Sequence, residues 1–202
     1  MTQSAQSVSW LRWTVLTTVG LAAGLVAALA AGGPVEAVVG MLLAMPVVTG
    51  IVGLVLGGTQ WLELRRRVRP AGRWIAASAV GLSIGLLGGV AIVEQIGRAV
   101  TGGQVSLRTM GSGWVIASFA VVGVVSGLLL GLMQWLAFRR FGLPGAFWVA
   151  TSTLAMSAAL FAGALVAETV TRGVMTPGGF ALFALLAGAI LGAISGRRLR
   201  SV

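Results

Sequence analysis

The chain alternates long apolar stretches with short polar breaks. Runs of spanning length fall near 12–31, 39–64, 73–96, 113–138, 146–170 and 179–197. A helix rises about 1.5 Å per residue, so about 20 apolar residues cross a hydrocarbon core about 30 Å thick. The pattern predicts an all-α integral membrane protein with six transmembrane helices. A single membrane domain covers 1–202, with short tails and no soluble domain.

The pattern also repeats. Sliding 53–98 onto 127–172, an offset of 74 without a gap, makes 18 of 46 positions identical. Gln60-Trp61-Leu62 falls on Gln134-Trp135-Leu136, Arg65-Arg66 on Arg139-Arg140, Pro70 on Pro144 and Trp74 on Trp148. Chance matching of Ala, Leu and Gly does not align rare residues in this way. A second offset, 61, places Arg12-Trp13, Gly20 and Gly24 on Arg73-Trp74, Gly81 and Gly85. A first run that shares the pattern of later ones reads as a mature span, not a cleaved leader. The two offsets together predict three parallel two-helix hairpins, over about 10–67, 72–141 and 146–200. The last returning span is the most altered. It keeps Gly188, Gly192, Ser195, Gly196 and Arg197-Arg198 but lacks Gln-Trp.

Charge then orients the chain. All 14 basic residues are Arg. Eleven fall at one edge of the spans: Arg12, Arg65–Arg67, Arg69, Arg73, Arg139, Arg140, Arg197, Arg198 and Arg200. The other edge has only Arg98, Arg108 and Arg172. Positive residues mark the cytoplasmic side, so both termini are expected there, in a bacterial inner membrane. The net charge of +10 then reflects topology and anionic headgroups, with no nucleic-acid partner. Cysteines introduced at Ser4 and Ser201 are expected to resist an impermeant thiol reagent in intact cells, whereas one at Ser106 labels. The opposite pattern contradicts this orientation.

Glycine, at 31 residues, predicts how the spans meet. Gly53/Gly57, Gly81/Gly85/Gly89, Gly123/Gly127/Gly131 and Gly188/Gly192/Gly196 recur every four residues. That spacing makes a small-residue stripe for close helix packing. Ala155, Ala159, Gly163 and Ala167 form its counterpart in the fifth span. Trp10, Trp13, Trp61, Trp74, Trp135 and Trp148 sit near the arginine edge, which reads as an interfacial belt.

Candidate chemistry is sparse. Gln60-Trp61 and Gln134-Trp135, with Glu36, are the candidates for a polar pocket or for interhelix contacts. As repeat-mates, the two glutamines are expected to stabilise the bundle equally. Glu94/Arg98 and Glu168/Arg172 are spaced i,i+4 with the acid first, the favourable helix order, and predict ion pairs on the far side. There is no His, Cys, Asp, Tyr or Lys. Haem ligation, iron–sulfur clusters, the usual metal sites, Ser-His-Asp or Cys-His nucleophiles and Schiff bases are therefore not expected. The inventory predicts a non-enzyme without catalytic residues. Lipid, carotenoid or quinone, held by packing, remain compatible as cofactors.

The unit G-x-x-x-G-x-x-Q-W-L followed by R-R, at Gly53–Arg66 and Gly127–Arg140, resembles a motif repeated in bacterial multi-pass membrane proteins. That resemblance implies the membrane fold and no activity. The expected role is a scaffold or accessory subunit packing against membrane lipids, other integral membrane proteins or itself. The alternative is a small-solute binding or transport component. An enclosed polar cavity would favour transport, and a filled bundle would favour the scaffold.

Overall fold

The computed structural model describes residues 9–65, 71–103, 111–139, 145–171 and 177–199. It is all-helical over those residues, with six helices long and apolar enough to cross a membrane. The stretch Trp10–Leu64 breaks at Gly40 into α1 (Trp10–Gly40) and α2 (Leu43–Leu64). Then follow α3 (Ala71–Thr101), α4 (Gly111–Phe138), α5 (Gly145–Thr171) and α6 (Pro177–Leu199).

The first break lies later than the apolar pattern placed it. Helix α1 runs on through Pro34 and Glu36 to Gly40, whose φ of 76° takes it out of the helical region. Glycine adopts that conformation without a Cβ penalty, so the chain reverses there. Pro34 has no N–H for the carbonyl of Ala30, but the surrounding surface is exposed. The apolar runs leave 32–38 between them, but neither Pro34 nor Glu36 forbids the last turns of a helix.

Each helix packs antiparallel to its chain neighbour, and α6 closes on α1. Glycines set the spacing, and every glycine-lined interface is directional: the stripe of one helix faces the next helix in the ring. A Cβ on Gly24 would lie 3.1 Å from the Val52 backbone, and one on Gly85 would lie 2.6 Å from Ser126 Cα. Gly53 and Gly57 lie against Ala79 and Ile75, Gly127 and Gly131 against Thr153 and Val149, and Gly188 and Gly192 against Thr18 and Thr14. On α5, Gly163 meets Phe183 of α6, while Ala155 and Ala159 are fully buried.

Antiparallel packing gathers the starts of α1, α3 and α5 with the ends of α2, α4 and α6. Arg12, Arg65, Arg73, Arg139 and Arg197 share that end, and Arg98 lies at the other. Inside, Leu56, Leu82, Leu130, Met156, Leu160 and Leu191 belong to one buried apolar cluster contributed by α2 to α6, which Ala28 of α1 joins. Outside, Val19, Val26, Leu54, Val80, Leu128 and Leu154 are exposed, as lipid-facing side chains must be.

Candidate functional site

Three tryptophans meet inside the ring at its arginine end. Trp13 of α1, Trp74 of α3 and Trp148 of α5 are buried. Their ring centroids are 6.4 Å (Trp13–Trp74), 6.4 Å (Trp13–Trp148) and 5.9 Å (Trp74–Trp148) apart, and Phe138 joins Trp74 at 4.9 Å. The first two contacts are edge-to-face, an arrangement that aligns ring quadrupoles favourably. This corrects the interfacial-belt reading for these three. Sequence position fixed their depth along the helix but not which way they face. Trp13, Thr17, Gly20 and Gly24 share one face by helical spacing, and that face is buried.

One turn deeper lies a polar layer. Thr17, Ser78 and Ser152 each follow one of the tryptophans by four residues and are buried. The returning helices supply Gln60 (4% exposed), Gln134 (2%) and Ser195 (4%). Gln60 Nε2 donates to Thr17 Oγ1 at 3.3 Å, and Gln134 Nε2 donates to Ser78 Oγ at 3.0 Å. Trp148 Nε1 donates to Gln134 Oε1 at 3.2 Å. Trp13 Nε1 donates to Ser195 Oγ at 2.9 Å, and Ser195 donates in turn to the Leu191 carbonyl at 2.6 Å. Gln60 Oε1 and Trp74 Nε1, an acceptor and a donor, are buried without partners.

The layer joins α1 to α2, α3 to α4, α4 to α5, and α6 to α1. Its side chains are Thr, Ser, Gln and Trp, which hydrogen-bond but do not exchange protons near neutral pH. Its chemistry is recognition and adhesion between helices. Among the described residues, no group of three or more His, Cys, Asp or Glu side chains could hold a metal ion.

The other candidates are scattered. Trp61 and Trp135 pack against the edge of the tryptophan cluster. Glu36 is exposed on α1, 19 residues beyond Thr17 and so about 28 Å along the helix from the polar layer. Glu94 and Arg98 form an ion pair with both side chains half exposed, which contributes about 0–1 kcal/mol. The Glu168 side chain and Arg172 lie outside the described residues. Glu63, not singled out in the sequence, accepts the backbone N–H of Ser9 at 3.1 Å and ties the end of α2 to the start of α1. Thr17, Ser78 and Ser152 were not among the residues that stood out in the sequence. The signal was present, because offsets of 61 and 74 carry Thr17 to Ser78 and Ser78 to Ser152.

The two glutamines differ in what they hold. Gln134→Leu strands the Trp148 indole and removes the bond to Ser78. We expect it to cost about 1–3 kcal/mol, the range for an unsatisfied buried polar group. Gln60→Leu removes one long bond together with an oxygen that has no partner, so its loss is smaller. Thermal unfolding in detergent measures both, and a larger loss for Gln60→Leu contradicts the geometry.

Fold and site together define a multi-pass α-helical membrane protein. No protein-family model, curated protein or solved structure matches the chain.

Proposed function

We propose that the chain is a scaffold or accessory subunit of the cytoplasmic membrane. It would pack its outer surface against other integral membrane proteins, a second copy or apolar cofactors. One observation carries this reading: among the described residues, buried side chains from all six helices meet inside the bundle. Trp13, Trp74 and Trp148 close it at the arginine end, and the apolar cluster around Leu56, Leu130 and Met156 fills it deeper in. What such a bundle offers is its exterior. The unevenly charged edges favour cytoplasmic termini.

Three parallel hairpins, α1–α2, α3–α4 and α5–α6, are the architecture we infer. Support comes from register. The offsets that align the sequence also carry contacts onto contacts: Gly53–Ala79 onto Gly127–Thr153 onto Gly188–Thr18, and Gly57–Ile75 onto Gly131–Val149 onto Gly192–Thr14. They carry Trp13 onto Trp74 and Trp148, and Gln60 onto Gln134 and Ser195. A one-residue slip in any hairpin would break the correspondence.

The test is purification of the full chain from its native membrane in a mild detergent. The scaffold reading expects an integral membrane protein to co-purify in fixed ratio. A chain that runs alone, and that passes small solutes after reconstitution into liposomes, overturns it. That outcome would favour the solute-binding alternative, for which the unpartnered Gln60 Oε1 and Trp74 Nε1 are the supporting observation.

A further inference from the structure

On the outer surface, an open groove of about 680 Å³, almost wholly apolar, runs along the seam where α4 and α5 pack closely together. Val124, Leu128, Leu132 and Trp135 form its α4 wall. Their spacing of four, four and three residues keeps them on one helical face. Small residues on the facing helix, among them Ala146 and Ala150, leave the space. Gly145 sets the headgroup end, because a Cβ there would overlap the Trp135 indole.

Two features identify an occupant. The first is length. From Val124 to Trp135 is 11 residues, about 16 Å along the helix. That is about half of a hydrocarbon core about 30 Å thick, the depth of one leaflet. The second is charge. Arg139 follows Trp135 by four residues, just past the end of α4 and about one turn beyond the groove's last lining residue on that helix, and is exposed. Helix α4 contains no carboxylate, and the only one in α5, Glu168, lies at the opposite end. The arginine end of this helix pair therefore carries positive charge without a carboxylate on either helix to offset it.

We propose that this groove holds one acyl chain of an anionic glycerophospholipid whose phosphate sits on Arg139. The chain lies along Leu128, Leu132 and Ala150, and the Trp135 indole lies at the level of the glycerol backbone. A guanidinium suits this role because its fork of N–H donors matches phosphate oxygens. The site depends on the bilayer location alone. It stands whether or not a partner protein is found, and the two failures are read in different experiments.

The test uses the full chain, delipidated in detergent and offered equal amounts of phosphatidylglycerol and phosphatidylcholine with matched acyl chains. Native mass spectrometry counts what is retained. We expect the wild type to keep one phosphatidylglycerol in preference to phosphatidylcholine. Ala150→Trp fills the groove from an exposed position and should abolish retention, with unfolding in lipid-free detergent unchanged. Ala76→Trp, its counterpart at offset 74 on α3, should retain the lipid. Arg139→Gln should lower the preference about fivefold, the factor equal to about 1 kcal/mol per basic residue at an anionic surface. Equal retention of the two lipids overturns the proposal. So does an Ala150→Trp variant that binds like the wild type, or displacement of phosphatidylglycerol by an added quinone. Should Ala150→Trp fail to fold, the headgroup preference and the Arg139→Gln result decide the matter.

Discussion

Trp74→Ala should unfold at a much lower temperature than the wild type. Trp74 is buried and touches Trp13, Trp148 and Phe138, so its removal opens a cavity where three alternate helices of the ring meet. Large-to-small changes of this kind cost about 3–5 kcal/mol, because the surroundings relax only partly. Each lost aromatic pair adds about 0.5–1.5 kcal/mol beyond burial. Trp61→Ala is the comparison. Trp61 is only half buried, at the edge of the same cluster, and should lose less. Thermal unfolding in one detergent ranks the two, and equal losses would remove the central position given to Trp74.

The second large effect belongs to the glycines that let backbones touch. A Cβ at Gly85 would come within 2.6 Å of Ser126 Cα, a backbone atom of α4 that cannot swing aside. Gly85→Ala must separate α3 from α4, and overpacking of this kind costs about 1–3 kcal/mol. Gly85→Leu should abolish the folded bundle. Gly58 provides the contrast: nothing lies within 4 Å of its Cβ position. Gly58→Ala should be neutral, or stabilising by up to about 1 kcal/mol through helix propensity. Thermal unfolding of the two alanine variants measures the contrast. Destabilisation of Gly58→Ala as large as that of Gly85→Ala contradicts the packing described.

The number and type of the helices were legible in the sequence because apolar length and composition dictate them. Glycines spaced by four residues predicted close packing but not the partner. That Gly53 faces Ala79, and that Gly188 reaches back to Thr18, depends on ring closure, a long-range property. Tryptophan depth was legible and tryptophan direction was not, because period and hydropathy do not distinguish the lipid face from the inner face of an apolar helix. Gln60 and Gln134 stood out by rarity. Their partners Thr17 and Ser78 did not, since hydroxyls in spans commonly bond their own helix, as Thr18 does to the Thr14 carbonyl. In the proposed third hairpin, Ser195 would stand where the other two have a glutamine. It accepts from Trp13 and donates to the Leu191 carbonyl within α6, so it is a polar residue that is hydrogen-bonded on both sides.

Whether the centre is filled or is a water route can be measured directly, because the chain has no cysteine to mask the result. Ser78, Ser126 and Ser152 are buried, and serine to cysteine is a small change. In membranes, Ser78→Cys, Ser126→Cys and Ser152→Cys should each resist a small water-soluble thiosulfonate applied from either side, and should react only after denaturation. Labelling of any of the three in the folded protein would contradict a filled bundle and make the chain a conduit or a solute-binding component.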